Sequence, residues 1–153
     1  MKAWLIDAFT GIGGLRLAEA PEPAPQAGEV VLQVHYAALN PADRYLAESL
    51  YPAKPPLPHI LGRDGMGTVI QAFGEELGIR VGDRCAILRG EVGVNRPGTL
   101  AERVAVPVQN LVEIPPGWSE PEAGSATLVY LTAYQALTMW GPQWRRALKS
   151  ALA

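Results

Sequence analysis

The side chains able to do acid–base, nucleophilic or metal chemistry are few and scattered in this sequence: two histidines, His35 and His59, one cysteine, Cys85, and isolated polar pairs such as Arg63-Asp64. A metal centre would have to be assembled from His35, His59, Asp64 and Cys85, which show no compact ligand spacing. One cysteine excludes an internal disulfide framework and a multi-cysteine zinc site, so a reducing, cytoplasmic setting is expected. The cluster Gly11-Ile12-Gly13-Gly14 lacks both the G-x-G-x-x-G spacing and the following helix that a phosphate cradle needs. Arg63 and Asp64, adjacent in the chain, could form a local ion pair that orients the loop, which makes Asp64 structural and leaves the role of Arg63 open.

The elements that must position these groups are mostly short strands. Residues 2–7 and 15–18 are apolar runs on either side of the glycine cluster and predict a β-hairpin. From Glu29 the alternation predicts a strand with Val30, Leu32, Val34 and Tyr36 on one face and Val31, Gln33, His35 and Ala37 on the other. Asn40-Pro41-Ala42-Asp43 has the form of a helix start, with an N-cap, a proline at the first position and a first-turn carboxylate; a short helix to about Ser49 follows. Prolines 52, 55, 56 and 58 then forbid helix and interior strand and make 51–59 a stiff loop. Gly62, Gly65 and Gly67 predict a bend or bulge that feeds a strand over 67–72, and further strands are expected over 84–88, 100–107 and 110–115. Short strands at regular spacing pack naturally as a partly open β-barrel. Ser119 with Glu122 forms a capping box that opens an apolar helix to about Trp140, where Gly141-Pro142 stops it. Residues 123–140 hold no charge, but Ser125, Thr127, Thr132, Gln135 and Thr138 interrupt them, so a buried helix is expected rather than a membrane span. Residues 143–153 read as a small amphipathic helix.

Composition narrows the function classes. The net charge of −2 argues against nucleic acid as a partner, because phosphate neutralisation needs a basic surface. With 48% hydrophobic residues the chain builds a core, while Gly 16 and Pro 14 favour tight turns over long helical bundles. No export signal is visible in the N-terminal residues, and a length of 153 suits one domain with a short appendage.

The motifs LNPAD at 39–43, YPAKPPLP at 51–58, GRDGMGTV at 62–69, VGDRCAI at 81–87, GTLAERVAVP at 98–107, IPPGWSEPEAG at 114–124 and LTAYQAL at 131–137, in that order, resemble the medium-chain dehydrogenase/reductase superfamily. Among its branches the chain looks most like the zinc-independent quinone oxidoreductases. The resemblance implies a mainly β fold: a GroES-like, partly open β-barrel over residues 1–118, then a C-terminal helical segment over 119–153 that leads toward a cofactor domain. It also implies a small-molecule quinone or carbonyl substrate and, for the complete enzyme, NADPH or NADH.

Two features set the chain apart from the zinc enzymes of that superfamily: Asn40 and Arg63 stand where their catalytic zinc has Cys and His ligands, and residues 89–98 lack the cysteines of their structural-zinc loop. No zinc is therefore expected, since a cation repels a metal ion. Cys85, where the family usually has an aliphatic residue, reads as a small buried hydrophobe. No complete Rossmann domain follows the helix in this sequence, so the chain is expected to be a fragment, a truncated product or an autonomous module that binds no dinucleotide tightly. By resemblance Asn40, Asp43, Tyr51 and Thr132 face the nicotinamide ribose and substrate, and Arg63 stands beside them. Each has a plainer reading too. Asn40 and Asp43 serve α-helix capping, Tyr51 anchors its loop, and Thr132 bonds back to a helix carbonyl. The other function class consistent with the sequence is a binding or oligomerisation module that forms a homodimer through the apolar helix.

Overall fold

The computed structural model describes residues 1–74 and 78–139. The expected amphipathic helix over 143–153 and the stop at Gly141-Pro142 lie outside them. Among the described residues eight strands form two open sheets, with no closed barrel. β1 (Lys2–Ile6), β2 (Arg16–Glu19) and β4 (His59–Ile60) make a small antiparallel sheet in the order β2-β1-β4. The larger sheet runs β7-β3-β5-β6-β8, built from β3 (Glu29–Ala38), β5 (Asp64–Phe73), β6 (Arg84–Ile87), β7 (Arg103–Pro107) and β8 (Leu111–Glu113). Two helices complete the fold, α1 (Pro41–Ala47) and α2 (Glu120–Thr138).

The core sits where β3, β5, β6 and β7 turn one face inward. Val30, Leu32, Val69, Cys85, Ile87, Val104 and Val106 pack there, which confirms Cys85 as an interior hydrophobe. Alternation along β3 holds only in part. Val31 is also buried, and the pairing with β5 slips between Val34 and Tyr36, so His35 is the extra residue of a bulge. A strict two-residue period does not survive that insertion, and Tyr36 leaves the face of Val30 and Leu32 for the side on which α2 lies.

α2 starts where the capping box predicts: the Ser119 N–H donates to the Glu122 carboxylate at 2.7 Å. Its first two turns dock through Ala123, Gly124 and Ala126. A Cβ on Gly124 would lie 2.8 Å from Cβ of Tyr36, so the close approach of helix to sheet depends on that glycine. Beyond Thr127 the apolar side chains are largely in solvent. Val129, Tyr130, Tyr134, Leu137 and Met139 are all exposed, so within this chain the sheet covers only the first turns of the helix that the sequence predicts to be buried. No helix among the described residues is long and apolar enough to cross a membrane.

Candidate functional site

Three local devices meet at one place: the N-terminus of α1, the Gly62-Arg63-Asp64 bend that opens β5, and the second and third turns of α2. At the first, the Asn40 N–H donates to one carboxylate oxygen of Asp43 at 2.8 Å, and the Gly62 N–H donates to the other at 3.0 Å. Asp43 is thus a clamp between α1 and the bend. It is buried, and that burial pushes its carboxyl above the ordinary range against the opposing pull of the two backbone N–H groups and of Arg63. Gly62 has φ of 105° and a Cβ there would stand 2.4 Å from the Thr99 hydroxyl, so the bend admits no other residue without displacement.

Asp64 ties the three devices together. Fully buried, it accepts from the Asn40 side-chain amide at 3.0 Å, from the Thr127 hydroxyl at 2.6 Å and from the Leu128 N–H at 2.9 Å. Its own carbonyl accepts from Thr99 at 2.6 Å. One N–H of the Asn40 amide is therefore committed to Asp64. Asn40 holds α1 through the backbone and α2 through Asp64, a role that a capping motif does not announce.

Arg63 turns away from its neighbour, and the Arg63–Asp64 ion pair that adjacency allows does not form. Its Nη1 donates to the Tyr51 hydroxyl at 3.0 Å, and the guanidinium carbon lies 5.6 Å from the centroid of the Tyr51 ring. Tyr51 in turn packs with Ile6, Leu46 and Leu61, which anchors the proline-rich loop. Thr132, exposed on α2, donates back to the Leu128 carbonyl at 2.7 Å.

An open cleft of about 490 Å³ lies between these parts, with Asn40, Pro41, Ala42 and Arg63 on one wall and Leu128, Val129, Thr132, Ala133 and Ala136 on the other. Of the residues singled out from the sequence, Asn40, Arg63 and Thr132 line this cleft together. Asp43 and Tyr51 lie beneath it and act on it through Asn40, Gly62 and Arg63. The apolar wall was missed, although Leu128, Thr132 and Ala136 recur at the four-residue spacing of one helix face and were readable as a stripe. On another side of α2 a second hollow of about 400 Å³ is lined by Val112, Trp118, Ala126, Tyr130 and Tyr134.

The remaining reactive groups do not join the site. Burial pushes the Cys85 thiol up, with Asp83 and Glu113 adding to it, so it is a poor nucleophile. His35 faces Glu120 at 3.5 Å and Thr68 at 3.3 Å on the sheet surface, and His59 is buried in β4. Among the described residues no three His, Cys, Asp or Glu side chains are gathered as a metal site would need.

A family model described as the alcohol dehydrogenase GroES-like domain matches residues 26–116. The synaptic vesicle membrane protein VAT-1 homolog of Mus musculus is 37% identical over 144 residues, which are 92% of this chain and 34% of that protein. The chloroplastic quinone-oxidoreductase homolog of Spinacia oleracea is 36% identical, over 92% of this chain and 44% of that one. Among solved structures, an NAD-dependent alcohol dehydrogenase superposes with a TM-score of 0.81 at 33% identity, over 90% of this chain and 46% of the other. A quinone oxidoreductase of Pseudomonas syringae pv. Tomato DC3000 gives 0.80 at 29% identity, over 92% and 42%. The chain spans between a third and a half of the length of these relatives.

Proposed function

Because this chain belongs to the alcohol dehydrogenase GroES-like domain family, within the medium-chain dehydrogenase/reductase superfamily, we propose that it forms the substrate-facing half of an NAD(P)H-dependent reductase of quinones, enones or related carbonyls. The cleft between the Gly62-Arg63-Asp64 bend and α2 carries this reading. Its wall of Leu128, Val129, Ala133 and Ala136 suits the face of a flat ring, and Asn40, Arg63 and Thr132 put polar groups at the ring's edge. When bound, a reduced nicotinamide supplies the hydride of a two-electron reduction whose proton comes from water. The chain's own residues orient the substrate against the apolar wall and hold the cleft in shape through Asp43 and Asp64.

A zinc ion does not fit the two positions that hold it in the zinc enzymes. The Asn40 amide donates to Asp64, and Arg63 would place a cation against the metal. No step of the reaction is therefore routed through a metal. The chain spans less than half of these relatives' length, so alone it is expected to position cofactor and substrate poorly and to turn over little. Titration of the isolated chain with NADPH in the presence of a quinone tests this: weak cofactor binding and no steady turnover are expected, whereas micromolar affinity with sustained reduction would overturn it.

The exposed apolar side of α2 favours a second reading, a module that binds another chain, including a second copy of itself. The two readings separate by ligand. A reductase half-site binds a planar carbonyl compound in the Arg63 cleft, and a docking module does not.

A further inference from the structure

Three arginines among the described residues are half-buried, Arg63, Arg96 and Arg103, and two of them hold carboxylates: Arg96 pairs with Glu29 and Arg103 with Glu22. Arg63 has no carboxylate within ion-pair distance among the described residues, and its hydrogen bond there runs to Tyr51. A guanidinium carries five N–H donors, so most of this one is uncommitted in a half-buried place that borders the cleft. Desolvating such a cation without an acceptor is unfavourable, while holding it ready for an incoming oxygen is a known use of arginine.

The charges behind it decide what kind of oxygen. Asp43 and Asp64 are both buried next to the bend, and both are satisfied by other donors: the Asn40 and Gly62 N–H groups for Asp43, and Asn40, Thr127 and Leu128 for Asp64. Two carboxylates behind one guanidinium offset its field, which disfavours a fully anionic ligand and leaves hydrogen-bond donation as the attraction. A neutral, electron-rich carbonyl oxygen suits that balance.

Building on the reductase reading above, we propose that Arg63 is the group that binds and polarises the substrate's carbonyl oxygen, in the place where a metal would otherwise act, and that Tyr51 is the positioning residue that aims it. The Tyr51 ring and hydroxyl hold the guanidinium through Nη1, and Arg63 lines the cleft.

Binding by the isolated chain tests this without turnover. The probes are 2,3-dimethyl-1,4-naphthoquinone, whose addition positions are blocked, its hydrocarbon counterpart 2,3-dimethylnaphthalene, and naphthalene-2-sulfonate, each followed by tryptophan fluorescence and amide NMR shifts at Leu128 and Thr132. The quinone is expected to bind about ten-fold more tightly than the hydrocarbon, the worth of one hydrogen bond from a charged donor. Arg63→Met should abolish that ratio, whatever it does to the hydrocarbon's own affinity; Arg63→Lys should keep part of it, which guards against a misfolded methionine variant. Tyr51→Phe should reduce the ratio, a readout that loss of packing alone does not move. Equal binding of quinone and hydrocarbon by the native chain would overturn the role of Arg63 and leave the cleft reading standing. Binding of neither would overturn both. Weaker binding of both probes to Arg63→Met, with their ratio intact, would make the residue structural, and tighter binding of the sulfonate than of the quinone would make it an anion site.

Discussion

His59 is 4% exposed in β4, and its Nε2 meets no hydrogen-bond partner among the described residues. Burial pushes its pKa below the ordinary 6.5, opposed by a hydrogen bond with the Gly93 backbone. The unfolded chain therefore takes up a proton near 6.5 while the folded chain does not, and stability falls as pH drops from above that value toward the folded pKa. Asp43 acts in the other sense. Its carboxyl is raised from 3.8 by burial, so it costs stability as pH rises through the folded value. Urea denaturation of the native chain and of His59→Leu at pH 7.5 and 5.5 separates the two, because only the first should lose stability through the imidazole. The variant is expected to show the smaller drop in midpoint, and equal drops would remove His59 from the account.

At the scale of elements, α2 is held to the sheet at few points, and Thr127 is central among them. Its hydroxyl lies 2.6 Å from Asp64 Oδ1 and 2.5 Å from the Ile87 carbonyl oxygen, and its single proton ties α2 either to the α1–β5 corner or to β6. Thr127→Val keeps the shape and removes the donor. The expected cost is about 1–3 kcal/mol, since a buried carboxylate loses one of its partners, with the denaturant slope unchanged. Hydrogen exchange at the Leu128 amide, the neighbouring donor to Asp64, should quicken in step. A loss below about 0.5 kcal/mol, the size of an ordinary surface change, would mean that Thr127 carries no such burden.

For the whole molecule the outstanding feature is the uncovered side of α2. Tyr130, Tyr134 and Leu137, spaced four and three residues apart, put exposed apolar side chains on one side of α2 away from the Arg63 cleft, and exposed apolar patches mark surfaces that another chain covers. The isolated chain is expected to bind an apolar dye and to self-associate in sedimentation equilibrium at tens of micromolar. Tyr134→Glu, which disrupts the patch without touching the docked turns, should weaken both by several-fold. A monomer that binds no dye would oppose association through α2 and leave the cleft untouched.

Much of the fold follows from local rules that the sequence displays. Capping chemistry at Ser119 and Glu122, the ban that four prolines place on regular structure over 51–59, and the apolar runs of β3 and β6 each act within a few residues, so each is readable without a partner. The bulge at His35 was not, because it arises from the pairing of two distant strands. The site divides in the same way. Asn40 and Asp43 could be recognised as a helix start, but only tertiary contact commits the Asn40 amide to Asp64, 24 residues on, and sends Arg63 to Tyr51 rather than to its neighbour. Local sequence determines which backbone conformations are affordable; which donor meets which acceptor across the fold is settled by where the sheets and α2 bring them.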